Sequence, residues 1–151
     1  MNRREKAMEK FKEGYNCAQA VVLAYSDLLE MDESTLAKIS SSFGGGFGRM
    51  REICGSVSGM GMVLGLLYAC DDSSNKEAKA AHYERVQEVA RAFEEKNGSI
   101  VCRELLGLNK KHDAPTPEAR TNEYYKKRPC AELVGDSAEI LEEYISKHPY
   151  K

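Results

Sequence analysis

Apolar residues recur at helical spacing over most of the chain, and no segment alternates in the two-residue rhythm of a strand. Residues 3–12 read as a charged amphipathic opener with Ala7, Met8 and Phe11 on one side, ended by Gly14. In "NCAQAVVLAYSDLL", Asn16 stands in an N-cap position. Ala20, Val21, Ala24, Tyr25 and Leu28 are spaced there as on a helix with little exposed surface. "DESTLAKISSSF" predicts a short third helix leading into a glycine loop. The segment from about Arg51 to Ala69 predicts an apolar helix. "SSNKEAKAAHYERVQEVARAFEEKNG" predicts a long amphipathic helix carrying Ala81, Val86, Val89, Ala90 and Phe93, stopped by Asn97-Gly98. "SIVCRELLG" reads as a short helix capped by Ser99, and the polar stretch "LNKKHDAPTPEARTNEYYKKR" as a loop with one helical turn. "PCAELVGDSAEILEEYISK" closes the chain as a helix with Pro129 at its first position. The expectation is a single all-α domain over residues 1–151, a compact multi-helix bundle with a buried glycine-rich central helix.

That central segment needs separate treatment, because 18 consecutive residues (53–70) carry no charge, the lower limit for a membrane span. Gly55, Ser56, Ser58, Gly59, Gly61 and Gly65 contribute little transfer energy, and no aromatic belt or basic cluster marks the ends, so no membrane span is expected. Gly55 and Gly59 lie four apart and leave one helical face nearly flat, where a neighbouring helix can approach closely. Each interior glycine costs about 0.5–1 kcal/mol relative to alanine, so packing or function has to offset it. Val57, Met60, Leu64 and Leu67 supply the bulky contacts around the rest of the helix. "GGGFGR" lacks the Lys-Ser/Thr of a phosphate loop and follows no strand, so it reads as a close-packing turn and not as a nucleotide site.

Composition narrows the partners. The net charge is -2, only 8% of residues are aromatic and there is no tryptophan, so neither a basic field nor a base-stacking platform is present and nucleic acid is not expected. The opening "MNRREKAMEKFKEG" has no apolar signal core, which leads to the expectation of a cytoplasmic protein. In a reducing compartment, the five cysteines argue for redox or metal chemistry and not for a disulfide framework.

Four of them occupy one kind of position. Cys17 follows the Asn16 cap, Cys54 opens the apolar helix, Cys102 is three past Ser99, and Cys130 follows Pro129. At a helix start, unsatisfied N–H groups and the positive dipole end favour a thiolate, by up to about one pKa unit. Cys70 ends its helix beside Asp71 and Asp72 and is read as structural or incidental. The separations of 37, 48 and 28 residues contain no close pair of the kind that zinc ribbons or ferredoxins show, so spacing names no metal.

The order Cys17, then Cys54-Gly55-Ser56-Val57-Ser58-Gly59, then Cys102 and Cys130 resembles the C-GCAxxG-C-C family of redox-active proteins. The resemblance runs from "GYNCAQAV" through "SFGGGFGR" to "PCAELV", with Ser56 where the family motif has alanine. It implies that Cys17, Cys54, Cys102 and Cys130 carry the chemistry, that Gly55 and Gly59 form the small-residue element beside a cofactor, and that Cys70 lies outside the pattern.

Three functions compete. The first is a thiol redox or electron-transfer protein with an unknown redox partner, in which a Cys54 thiolate attacks and another cysteine resolves. The second holds an iron–sulfur cluster or zinc on the same four cysteines. The third is a non-enzymatic helical module forming a homodimer through the long 75–96 helix. Other candidates are weaker. His82 reads as a surface histidine, and His112 and His148 sit in polar segments. Glu52 can cap the start of the apolar helix but its charge opposes a Cys54 thiolate, Arg49 and Arg51 counter that charge with the net sign open, and Tyr15 and Asn16 position the second helix.

Overall fold

The computed structural model describes residues 1–109 and 112–150; Lys110 and Lys111 of the polar stretch, and Lys151, lie outside the described residues. The helices are α1 (Arg3–Lys12), α2 (Cys17–Leu23), α3 (Glu33–Ser40), α4 (Gly44–Phe47), α5 (Gly55–Tyr68), α6 (Lys76–Asn97), α7 (Cys102–Leu105), α8 (Asn122–Lys127) and α9 (Cys130–Lys147). A 3-10 turn, Ser41–Phe43, joins α3 to α4. No named strand occurs among the described residues, and the fold is all-α as expected.

Local chemistry sets most of the starts. Asn2, Asn16, Asp32 and Asn75 each accept a backbone N–H from the first turn of α1, α2, α3 and α6. At α2 the cap is reciprocal: Asn16 Oδ1 accepts from Gln19 N and Gln19 Oε1 accepts from Asn16 N, both at 3.0 Å. Gly98, at φ +88°, ends α6 where Asn97-Gly98 was expected to stop it.

The most extensive packing is α1 against α9 and α2 against α5. Here one expectation shifts. The most completely buried helix is α2, where Ala18 and Ala20–Leu23 are all inside; α5 buries one face as far as Leu64 and leaves Leu66 49% exposed. Its glycines divide accordingly. A Cβ on Gly59 would lie 3.0 Å from both Ala18 O and Val21 Cβ, whereas Gly61 and Gly65 face open space. Gly61→Ala and Gly65→Ala are therefore expected to stabilise the fold by about 0.5–1 kcal/mol each. Gly59→Ala is expected to destabilise it by about 1 kcal/mol or more, since the backbone of α2 must yield. Urea unfolding of the three variants checks this; equal effects would mean that the α2–α5 approach is not what requires Gly59.

Two helix starts differ from expectation for one reason. Ile53 and Val101 form an antiparallel bridge, with Cys54 N–H donating to Ile100 O at 2.8 Å and Arg103 N–H to Arg51 O at 3.2 Å. The extended backbone this needs delays α5 from about Arg51 to Gly55 and α7 to Cys102, so Val101 and not Ser99 is the α7 N-cap. Ser99 instead accepts from Val101 N at 2.9 Å and donates to Glu104 at 2.7 Å. Pro129 is the N-cap of α9, one residue outside the expected first position.

Candidate functional site

The starts of α2, α5, α7 and α9 converge. Cys17, Cys102 and Cys130 are the first residues of their helices and Cys54 is the N-cap of α5. All four line one cavity of about 390 Å³, within the usual range for small-molecule sites. Cys70 lies elsewhere, exposed beyond the end of α5.

The four thiols are not equivalent. Cys17 is half-buried; Cys54, Cys102 and Cys130 are buried. The Cys130 thiol hydrogen-bonds to Cys17, and this is the largest cause lowering Cys17 to about 6. Burial opposes the shift, while the backbone N–H groups of Gly45 and of Cys17 itself, and the Arg120 charge, assist it. The same hydrogen bond, with burial, holds Cys130 protonated far above the ordinary thiol range. Burial pushes Cys54 up to about 12, with the Cys17 charge acting in the same direction and a 2.9 Å contact to Ser56 Oγ opposing both. Cys102 is also raised, by burial, although Arg51 Nη1 donates to its Sγ at 3.6 Å.

These shifts correct the expectation of a Cys54 thiolate and of four comparably activated cysteines. A helix start supplies about 0.3–1 kcal/mol when exposed, and a buried thiol loses more than that by leaving water. Only at Cys17 do a sulfur donor and two N–H groups outweigh burial.

The glycine loop builds one wall. From Gly45 to Arg51 every residue except Met50 has positive φ, including Phe47 (+74°), Arg49 (+68°) and Arg51 (+60°). Each non-glycine residue there costs about 1–2 kcal/mol, and specific contacts hold it. Arg51 N–H donates to Gly45 O at 3.1 Å and Glu52 N–H to Gly46 O at 2.9 Å. Arg49 Nε donates to Ala114 O at 2.7 Å, and the Arg51 guanidinium pairs with Asp113 at 2.9 Å. The left-handed course carries Gly45 N–H to Cys17 and Arg51 to Cys102. Arg51 favours a charged Cys102, but burial outweighs it. Glu52 turns away to Arg103 at 3.1 Å.

The opposite wall was missed in the sequence. Pro115, Pro117, Glu118 and Arg120, from the stretch read as a polar loop, line the cavity together with Tyr124 and Arg128. Arg120 donates to Phe11 O at 2.7 Å and Tyr15 O at 3.0 Å, and its guanidinium lies 4.0 Å above the Phe11 ring. Arg128 pairs with Glu118 at 2.6 Å. No spacing rule points to Arg120, because its partners are backbone carbonyls more than a hundred positions away.

The remaining candidates fall outside this chemistry. Gly55 lines the cavity, whereas Gly59 is packed one turn further along against Ala18 and Val21. Asn16 caps α2 and holds Ser41 O at 2.9 Å, the positioning role expected of it. His82 lies beside Arg85, at 3.3 Å, His112 is 4.0 Å from Glu52, and His148 stacks on Tyr144. Among the described residues, no group of three or more histidine, cysteine, aspartate or glutamate side chains is placed to hold a metal ion. Cys54 engages Ser56 and Cys102 engages Arg51.

A family model described as "Putative redox-active protein (C_GCAxxG_C_C)" matches residues 15–144, which include all four cavity cysteines. No curated protein matches the chain, and no solved structure does.

Proposed function

The chain belongs to the C-GCAxxG-C-C family, and from that footing we propose that it is a thiol–disulfide redox protein whose working pair is Cys17 and Cys130. The observation that carries this reading is that Cys17 and Cys130, the first residues of α2 and α9, line the same cavity of small-molecule size, with Cys17 the less buried of the two. At neutral pH Cys17 is a thiolate and Cys130 a thiol. Attack by Cys17 on an oxidant R–S–S–R forms Cys17–S–S–R and releases RS⁻. Cys130 then attacks the Cys17 sulfur, its proton passing to the departing RS⁻. The result is the Cys17–Cys130 disulfide, RSH and RS⁻, with two electrons moved from protein to oxidant. Burial keeps Cys54 and Cys102 neutral, so no second anion opposes the charge on Cys17.

Treatment of the reduced protein with one equivalent of a disulfide oxidant is expected to join the peptides containing Cys17 and Cys130, read by mass spectrometry without reduction. In Cys130→Ser the reaction is expected to stop at the mixed adduct on Cys17. A disulfide between another pair, or none, would overturn the reading. The competing use of the same four cysteines, holding an iron–sulfur cluster or zinc, predicts instead a stoichiometric metal after anaerobic purification and thiols that resist oxidation until it is removed.

A further inference from the structure

We propose that the oxidant accepted by this centre is a small organic disulfide bearing carboxylate groups; this rests on the Cys17–Cys130 reading above. The charged side chains lining the cavity are Arg49, Arg51, Arg120 and Arg128 against one carboxylate, Glu118. Asp113 answers Arg51 and Arg49 from behind, at 2.9 and 3.7 Å, and Glu118 answers Arg128. Among the described residues no carboxylate pairs with Arg120, whose two hydrogen bonds go to neutral carbonyls. Four guanidinium charges against two carboxylates and one Cys17 thiolate leave the site net positive. A cationic cleft with low-dielectric walls raises encounter rates with anions by about 10–1,000-fold.

Size and lining select an organic ligand over a bare oxyanion. A volume of about 390 Å³ equals roughly a dozen waters at about 30 Å³ each, more than a tetrahedral oxyanion displaces. Phe11, Leu105, Leu106, Pro115, Pro117 and Leu133 supply apolar wall for the carbon skeleton. The thiolate supplies the third requirement, since an anion held by the arginines with its sulfur at Cys17 is positioned for the exchange already written. Cys17 bonds to one ligand sulfur as the S–S bond breaks and the first carboxylate thiolate leaves; Cys130 then closes the protein disulfide and the second leaves as its thiol.

The test compares three disulfides on the reduced protein at pH 7 and low salt: dithiodiacetate (anionic), 2-hydroxyethyl disulfide (neutral) and cystamine (cationic). The rate of Cys17–Cys130 closure is divided by the rate of each disulfide with dithiothreitol, which removes intrinsic reactivity. Dithiodiacetate is expected to exceed cystamine by about tenfold or more, with the preference shrinking as salt rises. Arg120→Met is expected to bring the ratio towards one. Because that variant also loses the contacts to Phe11 O and Tyr15 O, Glu118→Gln provides a second, surface-located check, and it is expected to enlarge the preference. Equal normalised rates, or a faster cation, overturn the proposal and leave the cysteine pair standing. No closure with any of the three overturns the pair, and the proposal with it.

Discussion

Iodoacetamide is expected to label Cys17 at pH 5.5 while ordinary thiols are silent, with a titration midpoint near 6. The magnitude follows from thiolate fractions. With a value of about 6 for Cys17 and about 8.5 for a free thiol, the fractions at pH 5.5 are roughly a quarter and a thousandth. At pH 8.5 they are close to one and a half. The quotient of the Cys17 rate to that of a free thiol therefore falls by about a hundredfold across this range. Steric access and intrinsic nucleophilicity cancel from that change, because both act equally at the two pH values. Cys17→Ser is expected to remove the low-pH labelling entirely. Cys130→Ala, which deletes the largest cause of the shift, is expected to move the midpoint upward. Quantifying the modified Cys17 peptide by mass spectrometry reads all three. A midpoint at or above 8.5 in the unaltered protein would sink the assignment of Cys17 as the nucleophile.

Gly46→Ala is expected to be far more damaging than Gly48→Ala. Its φ is +69°, and an added Cβ would lie 2.7 Å from both Cys102 Cβ and Glu52 N and 2.8 Å from Arg51 Cα. The left-handed conformation costs an alanine about 1–2 kcal/mol, and overpacking adds about 1–3 kcal/mol. The expected loss is therefore about 2–5 kcal/mol. Gly48, at φ +60° with nothing within 4 Å of its would-be Cβ, isolates the first part, so Gly48→Ala is expected to lose only about 1–2 kcal/mol. Urea unfolding of the two variants separates conformation from packing. Equal losses would show that the approach of Gly46 to Cys102 does not matter. A loosened turn is also expected to release Gly45 N–H from Cys17, so the Cys17 midpoint should rise in Gly46→Ala, read in the same labelling assay.

Several features of the site were legible in the chain. Asn16 with Gln19 announces the start of α2, and Asn97-Gly98 the end of α6, because caps are made by residues three or four apart and need no distant partner. The small faces at Gly55 and Gly59 announce a close neighbour, which proves to be Ala18 and Val21. The bridge between Ile53 and Val101 was not legible, since a single extended residue on each side has no periodicity to detect. It moved two helix starts and set Cys54 opposite Ile100 and Cys102 opposite Glu52. Nor were Arg120 and Arg128, which sit in a stretch whose polar composition describes a loop equally well when it faces water and when it lines a cavity.

The order of residues by itself determined an all-helical chain and placed four cysteines at or next to helix starts, because hydrophobic period and capping are local and act within one or two turns. It could not rank those cysteines. Their ionisation depends on what burial removes and what a distant neighbour returns, and both are properties of the assembled molecule. Tertiary structure alone brought Cys130 and Cys17 to one cavity across more than a hundred residues, buried Cys54, Cys102 and Cys130 more deeply than Cys17, and so set the four thiols apart from one another.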